Sequence, residues 1–198
     1  MPRAGLSPAA VVAAGAALAD EVGFAELSMG LLAERVGVRT PSLYKHTASL
    51  DALRHGISVQ AKREFGHALA RAAVGRSGPD AVHAIADAYR RWAVDHPGRY
   101  AATIRAPAAG DEEDLRVSSE ALEIFLDVLA GFGLRDDRAI DATRTLRSAL
   151  HGFVSLESSG GFGMPRDVDR SFRYLVDTLI AGLRADQPST PPAHEGPA

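Results

Sequence analysis

The run from Ser28 to His46, S-M-G-L-L-A-E-R-V-G-V-R-T-P-S-L-Y-K-H, constrains this chain more than any other stretch. Ser28 suits an N-cap, because its hydroxyl can accept a hydrogen bond from a free first-turn N–H. Met29, Leu32, Ala33 and Val36 recur at three- and four-residue steps, which marks one apolar helix face. Gly37 follows where a helix commonly ends in a left-handed residue. Thr40 is expected to cap a second helix with Pro41 at its first position, where a missing N–H costs nothing. That helix is very short. Its apolar anchors are Leu43 and Tyr44, which leaves Arg39, Thr40, Ser42, Lys45 and His46 facing outward.

A short helix, a glycine turn and a second short helix rich in hydrogen-bond donors form a helix-turn-helix. The second helix of such a pair enters the major groove with its N-terminal residues toward base edges. An ordinary αα-corner with a solvated polar helix satisfies the same spacing. Charge helps to weigh the two. The net charge of −3 disfavours a protein that coats nucleic acid without regard to sequence, whereas a specific binder needs only a local basic patch. Arg35, Arg39 and Lys45 supply one, opposed nearby by Glu34, and Arg3 in an N-terminal arm adds to it.

The run Ser28…Leu32-Ala33…Val36-Gly37-Val38…Leu43-Tyr44…His46 resembles the N-terminal DNA-binding signature of the TetR family of transcriptional regulators, without a gap. Two positions depart from the usual pattern. Thr47 stands where an aromatic or large apolar residue is common, and Leu50 where a lysine often meets a phosphate. The second departure bears on one backbone contact and not on the fold.

The remaining chain reads as helices throughout. Ser7-Pro8 opens the first, with Val11, Ala14, Leu18 and Val22 as its core face and Gly23 as its end. Phe24 and Leu27 bridge into the helix-turn-helix. Ser49 caps a long helix carrying Leu53, Ile57, Ala61, Phe65 and Leu69, broken at Gly75 to Gly78. Pro79 begins the next, with Val82, Ile85, Ala86, Tyr89 and Trp92. After the turn His96-Pro97-Gly98 comes a short helix with Tyr100 and Ile104, ended by Pro107. Leu115 to Gly131 is a helix with Leu122, Phe125, Leu126 and Leu129 inward. Asp136 or Asp137 caps another, carrying Ile140, Leu146, Leu150, Phe153, Val154 and Leu156. Asp167 opens the last, with Phe172, Leu175, Val176, Leu179, Ile180 and Leu183. The fold class is therefore all-α, about nine helices. A helix-turn-helix domain is expected over 1–48, a ligand-binding and dimerisation bundle over 49–185, and a proline-rich disordered tail over 186–198.

No stretch of about 18 apolar residues is free of charge, so no membrane span or membrane partner is expected. Ala9 to Ala19 lacks the basic leader of a secretory signal. The sequence has no cysteine, which excludes disulfides and thiolate metal sites and suits a cytoplasmic protein.

The last two helices are more apolar than helices on the outside of a monomer need to be. Paired with their copies in a second subunit they form a two-fold interface, and such symmetry reads both halves of a palindromic operator. Alternatively the stripes are intramolecular core. The TetR resemblance implies a homodimer on double-stranded DNA, and a bundle whose small-molecule effector changes the separation of the two DNA-binding heads. The runs His96-Pro97-Gly98-Arg99-Tyr100 and Leu150-His151-Gly152-Phe153…Glu157…Gly160-Gly161-Phe162 resemble recurring features of one TetR subgroup. Candidate pocket residues are Tyr89, Trp92, Tyr100, Ile104, Phe125, His151 and Phe153, since ligand cavities combine apolar walls with a few polar groups. For any single one of them core packing is the stronger reading, and for His151 a hydrogen-bonded structural role weighs as much as a ligand contact.

An enzyme needs a constellation, and none stands out. The chain has no phosphate-cradling glycine motif, no G-x-S-x-G elbow and no H-E-x-x-H. His83 and Asp87, four apart on one helix face, have no partner nucleophile. The histidines are scattered, so no metal, cofactor or catalytic residue is expected. A third reading is a helical ligand-binding or adaptor protein with a degenerate helix-turn-helix. The expectation adopted is a homodimeric repressor, with Arg39, Thr40, Pro41, Ser42, Tyr44, Lys45 and His46 on the DNA.

Overall fold

The computed structural model describes residues 6–186. Arg3 and the expected tail from residue 187 onward lie outside them. Among the described residues there are helices and no strands, in the order α1 (Pro8–Val22), α2 (Met29–Val36), α3 (Thr40–Leu43), α4 (Leu50–Ala73), α5 (Gly78–Asp95), α6 (Pro97–Thr103), α7 (Glu112–Ala130), α8 (Asp136–Ser158) and α9 (Val168–Ala185). The all-α reading and its helix count stand.

The starts of these helices follow local side-chain chemistry. The hydroxyls of Ser7, Ser28 and Ser49 accept from the backbone N–H of Ala10, Leu31 and Ala52 at 3.2, 3.2 and 3.0 Å. Asp167 caps α9 by accepting from Asp169 N–H at 2.9 Å. Three expectations need correction. Thr40 is not a cap: α3 starts from Arg39, whose carbonyl accepts Ser42 N–H at 2.8 Å, and Thr40 lies inside the first turn. Neither Asp136 nor Asp137 caps α8, which begins after Arg135 and carries both acids in its first turn, where the helix dipole favours them. Finally, α7 begins at Glu112 instead of Leu115, because Asp111 accepts from Asp114 N–H at 3.1 Å.

The inward stripes also depart from the reading at named positions. Val22, Leu122, Ile140 and Leu156 are exposed. A stripe wider than the surface it packs on leaves its flank in solvent, and these four sit on such flanks. On α9, Phe172, Val176, Ile180 and Leu183 are buried within the monomer. Much of that helix's apolar stripe is therefore intramolecular core.

The long α4 joins a head, α1 to α3, to a body, α5 to α9. At about 1.5 Å per residue it extends roughly 36 Å. It packs against α1 and against α5, α6 and α7. A second link is shorter and tighter. The backbone of α6 lies on the C-terminal end of α1 so closely that a Cβ on Gly98 would sit 1.9 Å from the Ala19 carbonyl oxygen. Only glycine permits that approach. Beside it, Asp20 accepts from the Arg99 backbone N–H at 2.8 Å and from Arg99 Nε at 2.7 Å, while Arg99 Nη1 donates to Glu64 at 2.9 Å. One guanidinium thus clamps α1, α4 and α6 together. Gly98→Ala is expected to cost about 3 kcal/mol of stability, since the obstruction is backbone and cannot rotate away; a urea midpoint within error of the parent protein would refute the close approach.

Candidate nucleic-acid interface and interhelical cavity

The head presents α3 by means of a glycine turn. Gly37 adopts φ 69°, ψ 35°, and the Gly37 and Val38 N–H groups donate to Glu34 and Ala33 carbonyls at 3.1 and 3.0 Å. That closes α2 and turns the chain into α3. Leu43 is fully buried and acts as the pin, with Leu27, Leu32 and Ala33 in the same apolar core. Around the pin, Arg39, Pro41, Tyr44 and Lys45 are exposed, and Thr40, Ser42 and His46 are partly exposed. The structure therefore gathers all seven expected DNA-facing residues on one short segment.

Two details differ from the sequence reading. Tyr44 is no anchor, with 53% of its surface exposed, so its ring as well as its hydroxyl is presented outward. Arg35 does not join a free basic patch. Its guanidinium makes a two-pronged pair with Glu21, Nη2 to Oε1 at 2.7 Å, and this hydrogen bond holds the Glu21 carboxylate below its usual range. Arg39 and Lys45 make no ion pair among the described residues. Leu50, at the start of α4, is partly buried and packs on the core. Arg54 holds the α1–α2 loop by donating to the Ala25 and Leu27 carbonyls at 2.9 and 3.3 Å.

In the body, a cavity of about 200 Å³ lies between α4, α5, α7 and α8 and under the α6–α7 loop. Lys62, Phe65, Tyr89, Ile104, Arg105, Ser118, Leu122, Phe125 and Arg147 are among its walls. Of the expected pocket residues, Tyr89, Ile104 and Phe125 line it, and Ile104 is exposed at its edge. The other four do not. Trp92 stands one layer behind, its ring 5.0 Å from that of Phe65. Tyr100 and His151 form a hydrogen-bonded relay with Tyr89: the Tyr89 and Tyr100 hydroxyls are 2.7 Å apart, and Tyr100 Oη is 2.7 Å from His151 Nδ1. Burial raises the pKa of both phenols, most strongly that of Tyr100. Phe153 belongs to a different cluster, tilted against Phe162 and edge-on to Phe172, with the Arg90 guanidinium over the Phe172 ring.

Sequence reasoning missed the polar pairs. Lys62 Nζ lies 2.6 Å from Asp114 Oδ1, and both side chains are buried. Arg90 binds Glu157 through Nε and Nη2 at 2.8 and 2.6 Å and also reaches Asp169 at 2.8 Å, tying α5 to α8 and α9. His83, which shares a helix face with Asp87, pairs instead with Asp177 of α9 at 3.0 Å, a contact across helices. A helical pattern gives i, i+4 neighbours but not partners on other helices.

A head built around a presented helix-turn-helix, fixed to a helical body with an internal cavity, defines a class of DNA-binding regulators. The comparisons narrow it. Residues 11–55 match the model of the bacterial regulatory proteins of the tetR family, and residues 82–179 that of the tetracyclin repressor-like C-terminal domain. An uncharacterised HTH-type transcriptional regulator of Mycobacterium tuberculosis is 36% identical over 179 residues, 90% of this chain and 82% of the relative. Another, YobS of Bacillus subtilis, is 32% identical over 92% of this chain and 95% of the relative. The chain belongs to the TetR family of transcriptional regulators. Among solved structures, a possible TetR family regulator from Streptomyces coelicolor superposes with a TM-score of 0.71 at 20% identity, covering 90% of this chain and 99% of that one. A TetR variant of Acinetobacter baumannii in complex with minocycline superposes at 0.68 and 23%, covering 93% and 100%. Among the described residues no helix is long and apolar enough to cross a membrane.

If Lys45 meets a phosphate, Lys45→Ala weakens binding on every sequence and lowers the slope of log affinity against log salt by about one. Anisotropy titrations at several salt concentrations check this, and an unchanged slope rejects the contact.

Proposed function

We propose that the protein is a cytoplasmic, homodimeric repressor that holds a palindromic operator through Arg39, Thr40, Pro41, Ser42, Tyr44, Lys45 and His46 of each head and is released by a small molecule in the body's cavity. The observation that carries this reading is the exposed, acid-free segment of α3 on a head clamped to the body. Arg39 and Lys45 have charges not spent inside the protein, and Tyr44 offers a hydroxyl beside them. Such groups position a protein on the phosphates and reach base edges from a helix seated in the major groove. The superposable Acinetobacter protein is in complex with minocycline, so a protein of this fold takes up a small molecule.

For the effector, a ligand acts only through different affinities for two states of the protein. The cavity touches α4, and α4 runs into the head, so a ligand that favours one setting of α4 favours one placement of α3.

For the dimer, the outward faces of α8 and α9 supply the surface. Leu156 and Tyr174 are 52% and 76% exposed, and Met164 in the intervening loop is 81% exposed. Ser148, Ser155, Gly182 and Ala185 lie on the same helices with partly or fully exposed positions, small enough for close helix packing. Leu156→Asp combined with Tyr174→Asp is expected to give a folded monomer by sedimentation, with near-parental circular dichroism. A persistent dimer moves the interface elsewhere.

Selection from a randomised duplex pool tests the whole reading. Recovery of a palindrome bound tightly, and lost on replacing Tyr44 and Lys45, is the expected result. Weak binding that salt abolishes, with no enriched sequence, contradicts it and favours an adaptor.

A further inference from the structure

We propose that the body's cavity takes a small apolar molecule carrying an acidic group, a carboxylate or an equivalent anion. This rests on reading the cavity as the effector site and adds the chemical class of its ligand. Three cationic side chains, Lys62, Arg105 and Arg147, line the cavity, and no carboxylate does. Lys62 is already matched by Asp114 at 2.6 Å. Arg105 and Arg147 make no ion pair among the described residues, and both are exposed at the cavity's edge. The cavity thus carries two unmatched guanidinium groups.

Its other polar walls offer an anion little. The Thr103 hydroxyl donates to the Tyr100 carbonyl at 2.7 Å, and Ser118 Oγ faces Asp114 at 3.4 Å. The Tyr89 hydroxyl is engaged with that of Tyr100 at 2.7 Å. Arg147 stands close enough to oppose the upward push of burial on both phenols. The free donors are therefore the two guanidinium forks, whose planar geometry matches a carboxylate.

The interior is apolar: Phe65, Leu122 and Phe125 form walls around a volume of about 200 Å³. Ligand cavities for larger molecules begin at about 300 Å³, so a single ring or short chain fits better here. An acid would place its body among these side chains and its head at the edge. A cationic ligand meets two like charges in the same position, which selects against it. The larger cleft nearby, about 570 Å³, shares Arg105 but is also lined by Asp51, Asp111 and Asp114, so it has no such excess of positive charge.

Trp92 makes the test direct, because it is the chain's single tryptophan and its ring packs on cavity-lining Phe65. The full-length protein is titrated with 4-phenylbutyrate and octanoate and, separately, with their carboxamides, following Trp92 emission. The acids are expected to bind at least about tenfold more tightly than the amides, the scale of a charge-assisted hydrogen bond. Replacing Arg105→Ala and Arg147→Ala together should bring the acids to the level of the amides. Unchanged amide binding shows that this variant keeps its cavity. Amides binding as tightly as acids, an acid preference that survives the double replacement, or no response to either acid at millimolar concentration overturns the proposal. Operator affinity is measured alongside. An acid that binds with the expected preference yet leaves operator affinity unchanged upholds the ligand class and refutes the effector reading instead.

Discussion

The contact between α6 and the end of α1 is the constraint on which the rest of this structure depends. Gly98 lets two backbones meet where no side chain fits, and Arg99 then closes a clamp on Asp20 and Glu64. Ion pairs on a surface contribute little, because water screens them and the side chains lose freedom. This one is partly buried, shared among three helices and backed by a backbone N–H, so its worth lies in fixing geometry as much as in energy. Without it the head would hang on α4 alone. With it, the orientation of α3 is set by the body, which is what a regulator controlled from its body requires.

The interior of the body is divided between polar order and apolar space. The rings of Phe65, Tyr89 and Tyr100 pack edge to face, with Trp92 tilted against Phe65, around a hydroxyl relay that reaches His151. Lys62 and Asp114 form a buried pair on the cavity's wall. Such a pair is a modest source of stability, since desolvation offsets most of its attraction, but removing one partner leaves an uncompensated charge. The pair therefore fixes the relation of α4 to α7 on the wall a ligand would touch.

Much of the head was legible in the sequence because its determinants are local. A serine cap, apolar positions at helical spacing and Gly37 all act within one turn of where they stand, and α2, the turn and the burial of Leu43 followed. Thr40 misled because threonine before proline reads as a cap, whereas the turn starts from the Arg39 carbonyl. The body was legible as helices and much less so as a site. Arg99 finds Asp20 at a separation of 79 residues, and Lys62 finds Asp114 at 52. No periodicity encodes such partners. The motif around Gly98 was visible as a pattern, but its reason, the Ala19 carbonyl, appears only in three dimensions. Aromatic candidates were chosen for chemistry alike, and packing then separated Tyr89 and Phe125, on the cavity, from Phe153, which stacks under Arg90.

The central claim is that two heads, held by one dimer, engage one operator together. The chain has no cysteine, so Ala48→Cys places a single spin label on each head. The account predicts strong dipolar coupling between the two labels and a distance distribution that narrows on the selected operator, with the heads about one helical repeat, roughly 34–36 Å, or a multiple of it apart. Absence of coupling at saturating operator, or a distribution that the operator leaves unchanged, would contradict it.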